Sequence, residues 1–343
     1  MRASNPPPAA AIFGCATLAL SDEEHRFFAR VNPLGFILFA RNIEGPEQVR
    51  SLVAALRASV GRADAPVLID QEGGRVQRLR QPHWRKAPPG ESFARLAERD
   101  MVAATEALRL NFRLIGRELA DLGIDVDCAP VLDVPVAGAH GVIGDRAYGR
   151  TPATVGQLAG QVIEGLLDEG VLPVIKHIPG HGRAMVDSHL ALPVVEASLA
   201  ELEAQDFPPF HQLRHAPWAM TAHVVYTALD ASRPATTSAK VIAEVIRGAI
   251  GFDGVLVSDD LSMKALGGGF EDRTTDSLAA GCDVVLHCNG EMVEMQAIAA
   301  AVRPLTDLAL ARLDRAQAMK RAPVAFDAAA AAAQVEHLLG MAP

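Results

Sequence analysis

The chain has 343 residues, of which 50% are hydrophobic and 5% aromatic, and its formal net charge at pH 7 is −9. This apolar content suffices for a large buried core, which excludes disorder as the main state. No Lys/Arg-rich run and no basic-aromatic stripe occurs, so we expect a small-molecule partner and no nucleic-acid or membrane partner.

The first apolar run, from Ala9 to Leu20, is short enough to be compared with a secretory signal. Its flank has Arg2 as the one basic side chain and three prolines, and Gly14 and Thr17 interrupt the run. We therefore interpret it as a first strand. The four cysteines form no C-x-x-C pair, which is typical of thiols in a reducing compartment. The prediction is a cytoplasmic protein.

Short apolar segments with strand character recur along the chain and alternate with stretches of helical periodicity. The predicted strands are 11–17, 35–39, 66–70, 125–131, 171–177, 218–223, 254–258 and 283–287. The clearest helical stretches are 46–60, 101–122, 154–170 and 238–250. This alternation is typical of parallel strands joined by helical crossovers. Eight such units predict an α/β fold, a single-domain (β/α)8 TIM barrel.

Polar side chains follow most of these strands at their carboxyl ends. Asp70 ends the third strand, Lys176 and His177 the fifth, and Asp259 follows the seventh. In a TIM barrel these ends converge on the face where catalysis occurs. A doubly wound sheet would use one crevice and would need no polar residue after nearly every strand. The distribution therefore favours the barrel.

No internal repeat and no Pro/Gly/Ser linker divides the chain. We predict an N-terminal extension over 1–10, a catalytic barrel over 11–322, and a C-terminal helical segment over 323–343 that packs on the barrel. We expect a monomer.

The segment 174–189, Val-Ile-Lys-His-Ile-Pro-Gly-His-Gly-Arg-Ala-Met-Val-Asp-Ser-His, is the densest in titratable groups. An apolar strand here runs into a glycine-rich loop, a pattern that suits ligand binding, proton transfer or metal ligation. The loop and strand end carry one cation, three imidazoles and one carboxylate: Lys176, His177, His181, Asp187 and His189.

The segment 254–258 is an apolar strand that leads into paired carboxylates, Asp259 and Asp260. A strand end holds a carboxylate rigidly at a barrel mouth, where it can act as a nucleophile. Asp259 is the candidate nucleophile, while Asp260 is expected to cap the following helix. The alternative is that both carboxylates only cap that helix.

Together these motifs resemble the signature of the family 3 β-N-acetylglucosaminidases, bacterial enzymes of peptidoglycan recycling. Lys-His-Ile-Pro-Gly-His-Gly followed by Asp-Ser-His carries the resemblance, and further motifs agree in order from near Ile12 to near Leu286. The chain departs from the family at Ile178, where phenylalanine is common. The resemblance implies a retaining exo-enzyme without a cofactor or metal. Its substrates would be small carbohydrates, muropeptide fragments that carry a terminal N-acetylglucosamine.

The resemblance also implies roles for individual residues. Asp259 would be the nucleophile, and His189 the acid and base with Asp187 as its helper, which departs from the usual pair of glycosidase carboxylates. The substrate-binding residues would be Asp70, Arg78, Arg146, Lys176 and His177. For Arg78 and Arg146 the alternative is a structural ion pair.

Three further polar residues have smaller expected roles. We expect His181 and His223 to orient other groups, and Asp133 to be structural.

Two competing functions remain open. A metal-dependent barrel hydrolase would use His177, His181, Asp187 and His189 as ligands. Against it, Lys176 would place a positive charge beside the ion, and the Pro-Gly pair at 179–180 breaks helical His-x-x-x-His spacing. A non-catalytic sugar-binding barrel would bind without turnover.

Overall fold

The computed structural model describes residues 6–138, 141–186, 188 and 191–341. The strands within these ranges are β1 (Ala9–Gly14), β2 (Pro33–Leu38), β3 (Val67–Ile69), β4 (Val126–Asp127), β5 (Leu172–Ile178), β6 (Val194–Val195), β7 (Trp218–Thr221), β8 (Val225–Tyr226), β9 (Val255–Asp260) and β10 (Val284–His287). In this part of the chain, parallel strands close into a barrel in the order β1, β10, β9, β7, β5, β4, β3, β2. The predicted (β/α)8 TIM barrel is confirmed.

Helices occupy most of the connections between barrel strands. They are α1 (Asp22–Val31), α2 (Pro46–Ser59), α3 (Gly90–Ala97), α4 (Met101–Ala120), α5 (Pro152–Leu167), α6 (Leu199–Glu201), α7 (Phe207–Gln212), α8 (Phe270–Ala280), α9 (Met292–Ala301), α10 (Asp307–Ala318) and α11 (Ala328–Leu339). Short 3₁₀ turns cover 40–42, 144–146 and 235–237, and π-helical turns cover 202–206 and 241–249.

The barrel strands are apolar because both of their faces are covered. Every residue of β2, β3 and β5 is buried, as expected for parallel strands with side chains in the barrel on one face and helices on the other. Lys176 and His177 are thus polar residues in an otherwise apolar strand, at the end where it opens to the mouth. This placement fixes both side chains on a rigid element.

Several segments differ from the sequence prediction. The predicted strand 125–131 is the two-residue β4, and the predicted strand 11–17 ends at Gly14 as β1. The stretch 238–250, predicted from its helical periodicity, contains π-helical turns over 241–249. β6 and β8 form a separate two-stranded parallel sheet outside the barrel, which the sequence pattern did not predict. Tyr226 of β8 donates a hydrogen bond to the Gly180 carbonyl at 2.6 Å, so this small sheet holds the start of the loop after β5.

The C-terminal helix α11 packs against α4. The segment before α11 is fixed by Phe326, whose ring lies under the guanidinium groups of Arg113 and Arg117. Both arginines also pair with Glu169, whose side chain is fully buried. Over the described ranges, no helix has both the length and the apolar character that crossing a membrane requires.

Candidate active site

A pocket opens where the carboxyl ends of the barrel strands meet. It brings together six residues predicted from the sequence: Asp70, Arg78, Arg146, Lys176, His177 and Asp259. Asp70 follows β3, Arg146 ends the 3₁₀ turn after β4, and Asp259 lies in β9. The predicted acid/base residue His189 and its helper Asp187 lie outside the described residues.

One wall of the pocket is a chain of alternating charges, here called the mouth network: Arg78, Asp70, Lys176, Glu72 and Arg146. Lys176 Nζ lies 2.8 Å from Asp70 Oδ1 and 2.6 Å from Glu72 Oε1. Arg146 donates through Nε and Nη2 to the two oxygens of Glu72, each at 2.8 Å. Arg78 Nη2 lies 3.2 Å from Asp70 Oδ2. Each of these two carboxylates therefore lies between two cations.

These contacts fix the ionisation of the network. Burial alone would raise the pKa of Glu72, but Arg146 and Lys176 outweigh it and hold that pKa at about 2. Burial also opposes ionisation of Asp70, and Lys176 and Arg78 lower its pKa well below the usual range. For Lys176, burial acts to lower the pKa, while Asp70 and Glu72 raise it above its ordinary value. Asp70, Glu72 and Lys176 are therefore ionised at neutral pH.

The loop after β3 places Asp70, Glu72 and Arg78 on one side of the pocket. Gln71 Oε1 accepts hydrogen bonds from the main-chain N–H groups of Arg78 and Leu79, at 2.8 and 3.0 Å, and so closes the loop. Gly73 has φ +94°, and a Cβ there would lie 2.4 Å from the Pro88 carbonyl oxygen. Glycine is required at this position because the chain approaches itself too closely for any side chain.

His177 and His181 share one carboxylate, Asp133, which is fully buried. His177 Nδ1 lies 2.7 Å from Asp133 Oδ2, while the main-chain N–H groups of His177 and His181 donate to Asp133 Oδ1 at 3.1 and 2.7 Å. Burial raises the pKa of Asp133, but His177 and the hydrogen bonds lower it to about 2. The carboxylate therefore accepts a hydrogen bond from the Nδ1–H group, and the His177 ring reaches the pocket in a fixed orientation.

His181 also lines the pocket and is held in its neutral form. Burial, together with the neighbouring His177, lowers its pKa to about 4. Its Nε2 lies 3.1 Å from the hydroxyl of Ser188, which belongs to the Asp-Ser-His motif. This contact places His181 beside that motif, and its orienting role stays a prediction.

Asp259 and Asp260 end β9 on the other side of the pocket, and their surroundings differ. Asp259 Oδ1 accepts the main-chain N–H of Asp260 at 2.8 Å. Asp260 Oδ1 instead accepts the N–H groups of Ser262 and Cys288, at 3.0 and 3.1 Å. The prediction that Asp260 caps the following helix is wrong, because it closes a turn at Ser262 and α8 begins at Phe270.

Glu72 is the main site residue that the sequence analysis missed. It is 5% exposed and binds both Arg146 and Lys176, so it holds two of the predicted sugar-binding cations in place. The available signal was its position two residues after Asp70 in the same loop, where a second carboxylate would face the same ligand or cation. Asp133 was predicted as structural, and the structure shows it in direct contact with His177.

The metal-site alternative gains no support from the described residues. Within these ranges, no three side chains of His, Cys, Asp or Glu are grouped as ligands of one ion. Of the four proposed ligands, His177 and His181 are described and Asp187 and His189 are not.

Comparisons with known proteins identify relatives over most of this chain. Residues 15–321 match the family model of the glycosyl hydrolase family 3 N terminal domain. A beta-hexosaminidase of Alkalilimnicola ehrlichii is 39% identical over 312 residues, which cover 88% of this chain and 87% of that protein. Another, from Aromatoleum aromaticum, is 40% identical over 281 residues, with coverages of 80% and 77%.

Solved structures give the same result. NagZ from Neisseria gonorrhoeae in complex with N-trifluoroacetyl-D-glucosamine matches with a TM-score of 0.86 and 33% identity, covering 98% of this chain and 100% of that one. The structure of that protein in complex with zinc ion matches with a TM-score of 0.87 and 31% identity, at the same coverages.

Proposed function

The chain belongs to glycosyl hydrolase family 3 and is a glycoside hydrolase, and from that premise we propose that it acts as a retaining exo-β-N-acetylglucosaminidase. It removes a terminal, non-reducing N-acetylglucosamine from peptidoglycan fragments, namely N-acetylglucosaminyl-anhydro-N-acetylmuramic acid and its peptides. It works in the cytoplasm, as a monomer. Support for the sugar comes from the beta-hexosaminidase relatives and from the NagZ complex with an N-acylglucosamine.

The proposed reaction has two displacement steps. The Asp259 carboxylate attacks the anomeric carbon, and a C–O ester bond forms as the glycosidic bond breaks. The imidazolium of His189, oriented by Asp187, gives its proton to the leaving oxygen. In the second step His189 takes a proton from water, whose oxygen attacks the same carbon as the ester bond to Asp259 breaks. Two inversions give net retention.

The observation that carries the proposal is the shared pocket of Asp259 and the mouth network. A rigidly held carboxylate there faces a wall of ionised groups, which can make charge-assisted hydrogen bonds to sugar hydroxyls. We assign Asp70, Arg78, Arg146, Lys176 and His177 to sugar binding on this basis, and add Glu72 as the residue that positions Arg146 and Lys176.

The first test is the rate of phenol release from an aryl N-acetyl-β-glucosaminide, compared with the matching β-glucoside, in the presence of a chelator. We expect hydrolysis of the N-acetyl sugar alone. Activity that needs stoichiometric zinc would support the metal-dependent hydrolase instead, and binding without release of phenol would support the binding-only barrel.

The second test concerns the nucleophile. Asp259→Ala should lower kcat by a factor on the order of 10³ or more, since the covalent step is lost. Asp253→Ala, at the opposite end of the barrel and with a side chain 67% exposed, is the matched carboxylate control and should keep wild-type kcat. A 2-fluoro sugar should leave a mass adduct on the Asp259 peptide. Because the acetamido group could itself attack, an absent adduct would count against the covalent intermediate.

A further inference from the structure

A ring of hydrogen bonds surrounds the main chain of Asp259 and Asp260 beneath the pocket. The Asp259 N–H lies 3.3 Å from Thr221 Oγ1, and Thr221 Oγ1 lies 2.7 Å from Thr236 Oγ1. Thr236 Oγ1 lies 2.7 Å from His223 Nδ1, and His223 Nε2 lies 3.0 Å from the Asp260 carbonyl oxygen. Thr221, His223 and Thr236 are all fully buried, and none of the three lines the pocket.

The chemistry of the partners gives this ring one direction. The Asp260 carbonyl can only accept, so His223 carries a proton on Nε2. Burial lowers the pKa of His223, with Asp259 opposing it, which favours the neutral imidazole. Its Nδ1 then accepts a hydrogen bond. Thr236 must then donate to Nδ1.

The remaining donors follow in order. Since the single hydroxyl proton of Thr236 is used on His223, Thr236 Oγ1 accepts from Thr221. Thr221 Oγ1 in turn accepts the Asp259 N–H. Each hydroxyl accepts once, and the Thr236 proton is shared between His223 Nδ1 at 2.7 Å and the Ala222 carbonyl oxygen at 3.1 Å.

We propose that Thr221, Thr236 and His223 are positioning residues that fix the main chain of the nucleophile Asp259. This inference rests on the proposed function. The ring holds the N–H of Asp259 at one end and the carbonyl of Asp260 at the other. The Asp260 N–H between them holds the Asp259 carboxylate at 2.8 Å, so the ring reaches the attacking group through one further hydrogen bond.

The kinetic consequence differs from that of a sugar-binding residue. Misplacing a nucleophile by about 1 Å can cost a factor of about 100 in rate, while contacts to bound sugar are left intact. Loss of the ring should therefore lower kcat and leave KM nearly unchanged. A residue that only stabilised the barrel would change the melting temperature and leave kcat of the folded enzyme as it was.

Thr221→Val and Thr221→Ser test this with the aryl N-acetyl-β-glucosaminide. Valine has the shape of threonine without the hydroxyl, and we expect kcat to fall about 10- to 100-fold with KM within about twofold. Serine keeps the hydroxyl and should restore kcat to within about threefold. Thr274→Val is the control, because Thr274 is equally buried in α8 and donates to the Phe270 carbonyl away from the pocket. It should keep wild-type kcat.

Several results would overturn the inference. One is equal kcat in Thr221→Val and Thr221→Ser; another is an equal fall in Thr274→Val; a third is a rise in KM at constant kcat. If wild-type enzyme releases no phenol, the proposed function fails first, and the positioning role fails with it.

A measurement on the wild-type protein needs neither activity nor a variant. In ¹⁵N spectra of histidine-labelled protein at pH 7, His223 should be neutral with its proton on Nε2. A proton on Nδ1, or a charged imidazole, would contradict the direction of the hydrogen bonds in the ring. Either result would overturn the inference even in an active enzyme.

Discussion

Two networks of alternating charges lie at opposite ends of the barrel, and they differ in whether the buried hydrogen-bond donors of their arginines all have acceptors. The mouth network faces the pocket. The base network, Asp253, Asp283, Arg247, Arg312 and Arg315, lies where β9 and β10 begin. Arg312 Nη1 donates to Asp283 Oδ1 at 2.9 Å, and its Nε and Nη2 donate to Asp253 Oδ1 at 3.1 and 2.8 Å. Every nitrogen of Arg312 thus has a carboxylate acceptor.

The mouth network is less complete. Among the described residues, Arg78 Nε has no hydrogen-bond acceptor, although it is buried. Buried donors are nearly always satisfied, by protein, water or ligand. The same residue types therefore join a helix to strand starts at the base, and line the pocket at the mouth.

The largest expected effect comes from removing the central cation of the mouth network. Lys176→Met leaves Asp70 and Glu72 without their shared partner in a buried site. We expect a loss of about 3–5 kcal/mol in unfolding free energy and a fall in kcat/KM on the order of 10³ or more. Urea unfolding followed by tryptophan fluorescence and the aryl-glycoside assay measure the two effects.

The matched control is Arg312→Met, which removes the central cation of the base network. It should lose a comparable amount of stability, about 3 kcal/mol, while kcat of the folded enzyme stays at the wild-type value. If Arg312→Met also abolished turnover, or if Lys176→Met kept it, the distinction between the two networks would be wrong.

The barrel was predictable because each strand is buried on both faces. Residues of β5, for example, must be apolar along nearly the whole strand, so the two polar residues at its end are conspicuous in the sequence. β6 and β8 were not predictable, since two-residue strands have no measurable period. The π-helical turns at 241–249 have the same apolar spacing as an α-helix, so that pattern does not separate the two. The domain boundaries at 10 and 322 stay predictions.

The candidate site was predictable where chemistry follows a strand directly. Asp70, Lys176 and Asp259 lie at strand ends, and the topology alone brings them together. Glu72 was missed because its partner Arg146 is 74 residues away, and only the folded chain brings them together. The roles given to the site residues stay predictions, and Asp187 and His189 lie outside the described residues.

An intermediate effect is expected from acid. The pKa of Glu72 is lowered to about 2, so this carboxylate contributes stability above its unfolded pKa of about 4.3, and that contribution is lost as the pH falls through 2. The pKa of His181 is lowered to about 4, so the fold favours its neutral ring, and stability is lost as the pH falls from about 6.5 to 4. Burial raises the pKa values of Glu118 and Asp206 to about 7 and about 6, so protonation of these two carboxyls stabilises the fold over the same pH range and opposes the effect of His181. We therefore expect the steepest fall in unfolding free energy below about pH 4.3, where Glu72 is protonated in the unfolded chain.

Glu72→Gln separates the contribution of the mouth network from that of the base. The variant should be less stable than wild type at pH 7. Below pH 5 its unfolding free energy should change less with pH, because a group worth about 2–3 kcal/mol of pH dependence is removed. Asp253→Asn, in the more exposed part of the base network, should leave the acid slope nearly unchanged. Urea unfolding at half-unit pH steps measures both. An unchanged slope in Glu72→Gln would mean that Glu72 is not ionised as the geometry indicates.

The smallest effect is expected at the solvent-exposed edge of the base network. Arg315 Nη2 lies 2.8 Å from Asp253 Oδ2, but the two side chains are 53% and 67% exposed. Water and salt screen such a pair, so Arg315→Gln should lower the unfolding free energy by less than about 1 kcal/mol, with less effect in 1 M salt and no change in kcat. A loss as large as that of Arg312→Met would mean that close contact outweighs burial at the base. A small loss would mean that the pairs made by the buried Arg312 carry most of the energy of the base network.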